Sequence, residues 1–252
     1  MTSLVQQKFG AAAADYAAST VHAKGASLTR LIELTEPKPS WRVLDIATGA
    51  GHTALAFAPL VAKVTASDIT ASMLAETKRL AAERNLGNVK IARAKAEDLP
   101  FPDLSFDLVT CRLAAHHFQN PAAFAAEAFR VLWPGGTLAL VDNASPDGED
   151  LAASYNDFEK LRDPSHRRCL TLAEWTRLLT DTGFVIAQSE VMDQEIEFAP
   201  WVARMRCSDA AIARLKGLLH ASPLHDVLRP RESESGLVFT LQEAVVVARR
   251  PR

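Results

Sequence analysis

The stretch from Trp41 to Gly51, WRVLDIATGAG, most constrains what this chain can fold into. An apolar run carries one acid, Asp45, and ends at Gly49 and Gly51, after which a helix-forming segment begins. The pattern predicts a strand, a tight turn and a helix, because glycine lacks a Cβ and lets a ligand approach the backbone. The first N–H groups of such a helix have no partner within it and attract polar or anionic groups. An ordinary turn gives the same short motif, so other features of the chain are needed to distinguish a ligand-binding loop from a simple turn.

A second acid follows at the spacing that a nucleotide-binding fold requires. Residues Lys63 to Ser67 predict the next strand, and Asp68 ends it seventeen residues after Gly51. A carboxylate at that place can accept hydrogen bonds from both hydroxyls of a ribose. A solvated acid or a helix cap is the alternative, but the ordered combination of strand, glycine turn and acid is more specific than any part alone.

Strands and helices alternate along the first part of the chain. Helices are predicted near 53–62, from Ser72 to Gly87 and from Asn120-Pro121 onwards. Five short apolar runs between them predict strands at 42–46, 63–67, 89–93, 106–111 and 137–142. This alternation predicts βαβ units and a parallel sheet with its ligands at the carboxyl ends of the strands. The residues expected at that edge are Asp45, Asp68, Ala96, Arg112 and Asp142.

The remainder of the chain predicts helical additions and an antiparallel edge. One helix is predicted from Ser145-Pro146 to Arg162 and another after the capping box that begins at Thr171, with strands at 184–191 and 237–247. The last two strands lack a crossover helix, which favours antiparallel pairing. We therefore expect a helical extension over 1–36 and one domain over 37–252, with a lid insertion at about 145–170 and a partly helical insertion at about 195–235.

Composition narrows the classes of function. The chain has 252 residues, is 48% hydrophobic and carries a formal net charge of −2, so we expect a single domain without the basic surface that binds nucleic acid. No apolar run reaches the length of a membrane span. Cys111, Cys169 and Cys207 are too widely spaced for a metal motif and odd in number. We expect a cytoplasmic protein, a monomer or a homodimer, without a bound metal or membrane insertion.

A fold that binds a nicotinamide dinucleotide is an alternative, because GAGHTA, from Gly49 to Ala54, matches the pattern G-x-G-x-x-A. Asp45 argues against it, since hydride-transfer folds have apolar strand residues four positions before the first glycine. The end of the chain also does not repeat a second mononucleotide-binding half. This alternative predicts binding of NAD or NADP.

Four longer stretches resemble the successive motifs of class I S-adenosylmethionine-dependent methyltransferases. They are VLDIATGAG, ASDIT, KAEDLPFPDLSFDLVTCRLAAHHF and EAFRVLWPGGTLALVD, and the resemblance extends over roughly residues 40–190. The nearest branch contains the ubiquinone/menaquinone-biosynthesis C-methyltransferases and related bacterial small-molecule methyltransferases. The resemblance implies an α/β fold with a doubly wound, seven-stranded, mostly parallel sheet, a Rossmann-like methyltransferase fold. It also implies methyl transfer from S-adenosylmethionine to a small-molecule acceptor.

The resemblance further implies which residues hold the cofactor. The first motif binds the methionine part in relatives, and an acid after the second strand binds the ribose hydroxyls. Relatives often have glycine where this chain has Ala47. The implied contacts are Asp45, Ala47, Gly49, Ala50 and Gly51 with the methionine part, Asp68 with the ribose, Ile69, Met73, Lys95, Ala96 and Glu97 with the adenine, Arg112 with the methionine end, and Tyr16 as a cover.

Two histidines are the candidates for a catalytic base. His117 and His116 follow the fourth strand at the ligand edge, and an ordinary histidine pKa near about 6.5 suits proton transfer. A base is needed only if the acceptor must lose a proton, and either ring can instead fix the loop after that strand. His166, Arg167 and Arg168 follow the predicted lid helix, where they can meet an acidic acceptor or form a solvated charge run.

Three functions remain open at this level. Methyl transfer to a small molecule is favoured by the motifs and by the absence of a basic surface. A nicotinamide-dependent oxidoreductase predicts dinucleotide binding without affinity for S-adenosylhomocysteine. A non-catalytic S-adenosylmethionine-binding protein shares every motif, so only turnover with an acceptor separates it from an enzyme.

Overall fold

The computed structural model of the chain describes residues 3–11, 13–17, 25–221 and 223–252. Three helices precede the sheet within these ranges, α1 (Leu4–Ala11), α2 (Ala13–Ala17) and α3 (Ala26–Thr35). The helix predicted over 1–36 is therefore present over most of its described part, while residues 1, 2, 12 and 18–24 lie outside the description. After α3, Glu36 takes a left-handed conformation with φ 45°, just before Pro37, which cannot continue the helix.

The first half of the sheet is built from alternating strands and helices. The strands pair in parallel, in the spatial order β3-β2-β1-β4-β5. Each of the five predicted strands is present. The elements are β1 (Arg42–Ile46), α4 (His52–Phe57), β2 (Lys63–Asp68), α5 (Ala71–Glu83), β3 (Val89–Arg93), β4 (Phe106–Arg112), α6 (Pro121–Val131) and β5 (Leu132–Asn143).

The remaining elements complete the sheet with antiparallel strands. They are α7 (Glu149–Arg162), α8 (Leu172–Thr182), β6 (Val185–Glu197), α9 (Phe198–Arg204), α10 (Asp209–Ala221), α11 (His225–Leu228), β7 (Arg231–Ser233) and β8 (Gly236–Arg249). Strand β8 lies between β5 and β6 and is antiparallel to both. The predicted seven-stranded, mostly parallel sheet is thus confirmed as the path β3-β2-β1-β4-β5-β8-β6. The short strand β7, which pairs only with β8, is an eighth strand that the sequence did not predict.

Two predicted helix ends are wrong for local reasons. Helix α4 ends at Phe57 rather than near residue 62, because Pro59 has no N–H and its ring clashes with the carbonyl four residues earlier. A short 3-10 turn follows it. Helix α5 ends at Glu83, and the residue that takes the left-handed conformation after it is Asn85 (φ 56°), not Gly87.

Other boundaries also differ from the prediction. Helix α7 begins at Glu149 instead of Ser145-Pro146, because Gly148 has a φ of 96° and interrupts a helix at that point. Strand β5 begins at Leu132, five residues earlier than predicted. Strand β6 continues to Glu197 rather than ending at residue 191, since it pairs with β8 along its whole length.

Helices cover both faces of the sheet, which makes the fold doubly wound. Leu44 and Val109 belong to the core that contains α6 and α8, whereas their chain neighbours Val43 and Leu108 belong to the core that contains α3 and α4. All four are at most 1% exposed. Strands that are buried on both faces consist of nearly continuous apolar residues, which is why the sequence pattern located them so well.

A third core fixes helix α7 above the carboxyl edge of the sheet. Phe158 of α7 stacks on Trp201 of α9 with ring centroids 5.4 Å apart, and Trp201 meets Phe239 of β8 edge-on at 4.9 Å. Tyr155, one turn before Phe158, is also buried. Complete burial of one large apolar side chain contributes about 1.5–3 kcal/mol. These contacts therefore hold α7 in place beside the site.

Candidate active site

Asp45 stabilises residues 47–51, here called the motif loop, through hydrogen bonds. Its Oδ2 accepts hydrogen bonds from the Thr48 hydroxyl at 2.5 Å and the Ala54 N–H at 3.2 Å, and its Oδ1 accepts one from the Thr110 hydroxyl at 2.7 Å. Burial raises the pKa of Asp45 to about 6, and these hydrogen bonds act in the opposite direction. Both oxygens of the carboxylate thus accept hydrogen bonds from other residues of the protein.

Left-handed backbone conformations shape the motif loop. They occur at Ala47 (φ 52°), Gly49 (φ 55°) and Gly51 (φ 88°). A Cβ on Gly49 would have no neighbour within 4 Å, whereas a Cβ on Gly51 would lie 2.5 Å from Cγ2 of Thr77 in α5. Gly49 therefore leaves an open face for a ligand, and Gly51 allows α5 to pack against the loop.

Asp68 faces the motif loop from the end of β2. Its Oδ2 accepts the Gly49 N–H at 3.0 Å and its Oδ1 accepts the Thr70 N–H at 2.7 Å. The residue is 7% exposed, and burial raises the pKa of its carboxyl. Each carboxylate oxygen has a second lone pair, so Asp68 can still accept two hydrogen bonds from a ligand.

A cavity of about 590 Å³ lies at the carboxyl edge of the parallel strands, a volume usual for a ligand site. Asp45 and Gly51 do not line it and act behind the motif loop. Asp142 and Arg168 do not line it either. All the other residues implied as cofactor contacts or as a catalytic base line it, namely Tyr16, Ala47, Gly49, Ala50, Asp68, Ile69, Met73, Lys95, Ala96, Glu97, Arg112, His116 and His117.

The N-terminal helices cover one side of this cavity. Phe9 of α1 meets the edge of the His117 ring with centroids 5.0 Å apart and lies 5.2 Å from the Tyr16 ring. His52 Nε2 donates to the Tyr16 carbonyl at 2.9 Å, which ties α2 to the first turn of α4. Phe9 and His52 line the cavity but were not predicted, since no motif marks them.

Polar contacts hold the predicted residues after β3 and β4. Glu97 Oε1 accepts the Gln119 N–H at 2.9 Å, and Lys95 Nζ lies 3.9 Å from Glu97 Oε2. Arg112 Nε donates to the Ser27 hydroxyl at 3.2 Å, which joins the end of β4 to α3. Burial lowers the pKa of Arg112, although nearby carboxylates oppose the shift.

His116 lines the cavity and has a carboxylate partner. Its Nδ1 donates to Asp142 Oδ1 at 2.6 Å, and the side chains are 11% and 0% exposed. Burial disfavours the imidazolium, but Asp142, with Glu159 and Asp163, more than compensates and raises the pKa of His116 above its ordinary value. A carboxylate that fixes one ring nitrogen, and leaves the other for a ligand, is the arrangement of a general base.

His117 has different surroundings. Its Nδ1 donates to the Ser165 carbonyl at 3.2 Å, and its Nε2 lies 3.8 Å from Asp163 Oδ2. Burial, and then the charge of His116, lower the pKa of His117 to about 3, so its ring is neutral at pH 7. Burial likewise lowers the pKa of His166 to about 2. No group of His, Cys, Asp and Glu side chains in the described part of the chain is arranged to hold a metal ion.

One end of the cavity, here called the lid end, is formed by Glu159, Arg162 and Asp163 around the end of α7 and by Trp201 and Arg204 of α9. Glu159 is 2% exposed, its Oε1 has no hydrogen-bond partner, and burial raises its pKa. Arg162 Nε donates to the Trp201 carbonyl at 3.1 Å. Helical periodicity predicted the apolar face of α7, but it does not tell which polar residue faces a cavity, so Glu159 and both arginines were missed.

Comparison with known proteins agrees with this geometry. A family model described as "Methyltransferase domain" matches residues 44–140. The uncharacterized methyltransferase YcgJ of Bacillus subtilis (strain 168) is 38% identical over 189 residues, 75% of each chain. Its crystal structure superposes with a TM-score of 0.84 over 90% of this chain and 98% of YcgJ. The crystal structure of BH2331 from Bacillus halodurans C-125 gives a TM-score of 0.85 at 35% identity, over 90% of this chain and 100% of the other.

The chain therefore belongs to the class I S-adenosylmethionine-dependent methyltransferases. Its function is methyl transfer, and its cofactor is S-adenosylmethionine. The ubiquinone/menaquinone biosynthesis C-methyltransferase of Marinomonas sp. (strain MWYL1) is 38% identical over 120 residues, 46% of this chain and 48% of that protein. The nicotinamide-dependent and non-catalytic alternatives are not favoured.

The residues of the cavity fit this cofactor. Asp68 keeps two acceptor positions on the cavity side, and Gly49 offers a face on which a Cβ would find open space. Ile69 and Met73 line the cavity with apolar side chains, against which a flat adenine would fit. Glu159 also lines the cavity, and its buried Oε1 has no hydrogen-bond partner.

Proposed function

We propose that this enzyme methylates a small-molecule acceptor that binds in the cavity between the motif loop and the lid end, with His116 as the general base. The observation that carries the proposal is the 2.6 Å hydrogen bond from His116 Nδ1 to Asp142, in a ring that lines the cavity. The cover formed by α1, α2 and α7 favours an acceptor small enough to lie within the cavity.

The same cavity suggests how the cofactor lies. We place the methionine part against Ala47, Gly49 and Ala50, the ribose hydroxyls on Asp68, and the remaining contacts as the family resemblance implies. In this arrangement Asp45 and Gly51 do not touch the cofactor. Asp45 holds the motif loop through Thr48, and Gly51 admits α5, so both are positioning residues.

The protein has a limited task in the reaction. S-adenosylmethionine, when bound, supplies a methyl group that is already activated on a sulfonium. The side chains of the lid end hold the acceptor in line, and alignment of this kind contributes roughly 7–11 kcal/mol to a bimolecular reaction. Neutral His116 accepts the proton from the acceptor at Nε2, while Asp142 holds Nδ1–H and stabilises the imidazolium that forms.

His117 is better suited to a positioning role than to proton transfer. Its pKa of about 3 lies far from neutral pH, and a base with so low a pKa has little driving force to take a proton. Its contacts with Phe9 and with the Ser165 carbonyl connect α1 to the segment after α7. We therefore assign the base to His116 and the arrangement of the cover to His117.

Calorimetric titration tests the proposal in two stages. S-adenosylhomocysteine should bind the wild type with micromolar affinity and Asp68→Ala at least tenfold more weakly, while NAD and NADP should not bind. An acceptor screen with wild type and His116→Gln follows, with His225→Gln as the control because His225 is exposed. Absence of S-adenosylhomocysteine binding would refute the cofactor placement. Equal turnover by wild type and His116→Gln would refute the base.

We further propose a cytoplasmic location. Cys111, Cys169 and Cys207 are unpaired, as expected in a reducing compartment. Within the described ranges, no helix combines the length and the apolar character needed to cross a bilayer. Fractionation of cells that express the chain at native level would place it in the membrane pellet if this proposal were wrong.

A further inference from the structure

Two arginines face the cavity from the lid end. Arg162 is the last residue of α7 and Arg204 the last residue of α9, and both line the cavity. They lie near each other, because Arg162 Nε donates to the carbonyl of Trp201, one turn before Arg204 in α9. The Tyr16 hydroxyl is close to both, since it lies 3.6 Å from the sulfur of Met205, the residue after Arg204. The lid end therefore carries two positive charges at one place.

Neither charge has an ionic partner within the described part of the chain. No ion pair among the described residues includes Arg162 or Arg204. The Nε of Arg204 is buried and has no hydrogen-bond partner. Arg162 lies over the Trp201 ring, with its guanidinium carbon 4.6 Å from the centroid, so packing fixes its position. Buried charges are normally paired, and a half-buried guanidinium pair without a carboxylate leaves room for an anion from outside.

The carboxylates nearby are engaged elsewhere. Asp163 Oδ1 accepts hydrogen bonds from the Ser165 N–H at 2.8 Å and the Ser165 hydroxyl at 2.7 Å, and its Oδ2 faces His117. Burial raises the pKa of Glu159, which favours its neutral form. Lys160 and Arg167 also line the cavity and are exposed, so the entrance on this side adds further positive charge.

We propose that the methyl acceptor carries an acidic group, a carboxylate or a phosphate, that binds between Arg162 and Arg204. The inference rests on the proposed function, because it names the acceptor class for the same cavity. Guanidinium groups bind both anions through paired N–H donors. The Trp201 ring, with Ile196 and Leu241, adds an apolar wall beside the anion site. The acceptor is therefore an organic acid whose acidic group is anchored at the lid end.

The test uses simple probes on the enzyme saturated with S-adenosylhomocysteine. Inorganic phosphate and benzoate represent the two acidic groups, and benzamide is the neutral match for benzoate. Calorimetry should show binding of at least one anion and at least tenfold weaker binding of benzamide. Arg204→Gln and Arg162→Gln should each lower the affinity for that anion at least tenfold, whereas Arg204→Lys should retain part of it.

Two controls make the result decisive. Arg168→Gln removes an exposed arginine that pairs with Glu174 outside the cavity, so anion binding should not change. Unchanged affinity of Arg204→Gln for S-adenosylhomocysteine shows that the variant is folded. Equal binding of benzoate and benzamide, no anion binding, or full binding by both glutamine variants overturns the proposal. Failure of S-adenosylhomocysteine to bind the wild type would instead overturn the proposed function.

Discussion

At the scale of single residues, the hydrogen bonds of Asp45 and the backbone conformation of Ala47 both shape the motif loop. Asp45 was predicted to contact the cofactor, yet its oxygens bind Thr48, Ala54 and Thr110. The sequence could place this acid at a strand end, but it could not reveal that Thr110, on a neighbouring strand, would occupy one oxygen. Ala47, where relatives often have glycine, keeps the left-handed conformation that glycine favours.

Ala47→Gly should stabilise the protein, unlike most substitutions by glycine. The left-handed conformation costs alanine about 1–2 kcal/mol, and the greater freedom of glycine in the unfolded chain offsets part of the gain. We expect a net increase of about 0.5–1 kcal/mol in the free energy of unfolding, measured in urea. The exposed helical residue Ala153 is the matched control, since Ala153→Gly should lower stability by about 1 kcal/mol. A loss of stability in both variants would contradict the strain at residue 47.

Asp142→Asn should lower the pKa of His116. The Asp142 carboxylate favours the imidazolium, and an amide cannot replace its charge. Proton transfer requires neutral His116, so kcat/KM should rise with pH through a pKa above about 6.5 in the wild type and at lower pH in the variant. NMR titration of the ring, assigned by loss of its signal in His116→Gln, measures the shift without an acceptor. Asp150→Asn, at an exposed position, should leave the titration unchanged; the same pKa in Asp142→Asn would refute the coupling.

At the scale of elements, the sequence located the helix ends that are determined by residues within the same turn. The Asn120-Pro121 start of α6 and the capping box of α8 are present, because cap residues act on N–H groups within the same turn. The predicted start of α7 was wrong, since Gly148 has a positive φ that the sequence alone does not reveal. Contacts of α1 and α7 with the site depend on tertiary packing, which explains why Phe9 and Glu159 were missed.

Gly51→Ala should disturb the packing of α5 on the motif loop. The new Cβ would lie 2.5 Å from Cγ2 of Thr77 and would require a left-handed alanine, so we expect a loss of about 1–3 kcal/mol in the free energy of unfolding. Thr77→Ser removes Cγ2 and keeps the hydroxyl that donates to the Gly49 carbonyl. In that background the loss should be smaller by about 1 kcal/mol. Gly87→Ala, whose Cβ would have no neighbour within 4 Å, is the control; additive losses at 51 and 77 would exclude the proposed contact.

At the scale of the whole molecule, the parallel pairing of the first five strands followed from the alternation of strands and helices, but the lid end did not. Strands buried on both faces leave a strong apolar signal, and βαβ units permit few arrangements. The third core brings Phe158, Trp201 and Phe239 together from distant parts of the sequence, and no local pattern encodes that meeting. The sequence therefore named many of the residues that line the cavity, whereas those of the lid end needed the structure.

Acid should destabilise the whole domain through its buried histidines. Below about pH 6.5 the unfolded chain binds protons at His117 and His166, whereas the folded rings bind them only near pH 3 and pH 2. Stability is therefore lost as the pH falls, by at most about 1.4 kcal/mol per pH unit for each histidine. Asp45 opposes the trend between its unfolded pKa and about 6, and the raised pKa values of Asp68 and Glu159 act in the same direction as Asp45. Urea unfolding from pH 7 to 4 should show a shallower decline in His166→Gln; an identical slope would show that His166 does not contribute.

The place of β8 in the sheet has a consequence for the growing chain on the ribosome. Strand β5 ends at Asn143, but the strand that covers its second edge begins only at Gly236. At a synthesis rate of about 5–20 residues per second, the nascent sheet waits roughly 5–20 seconds with a row of unpaired N–H and C=O groups exposed. During that interval the new chain is open to pairing with other strands, and chaperones that shield such edges should have their greatest effect on its yield.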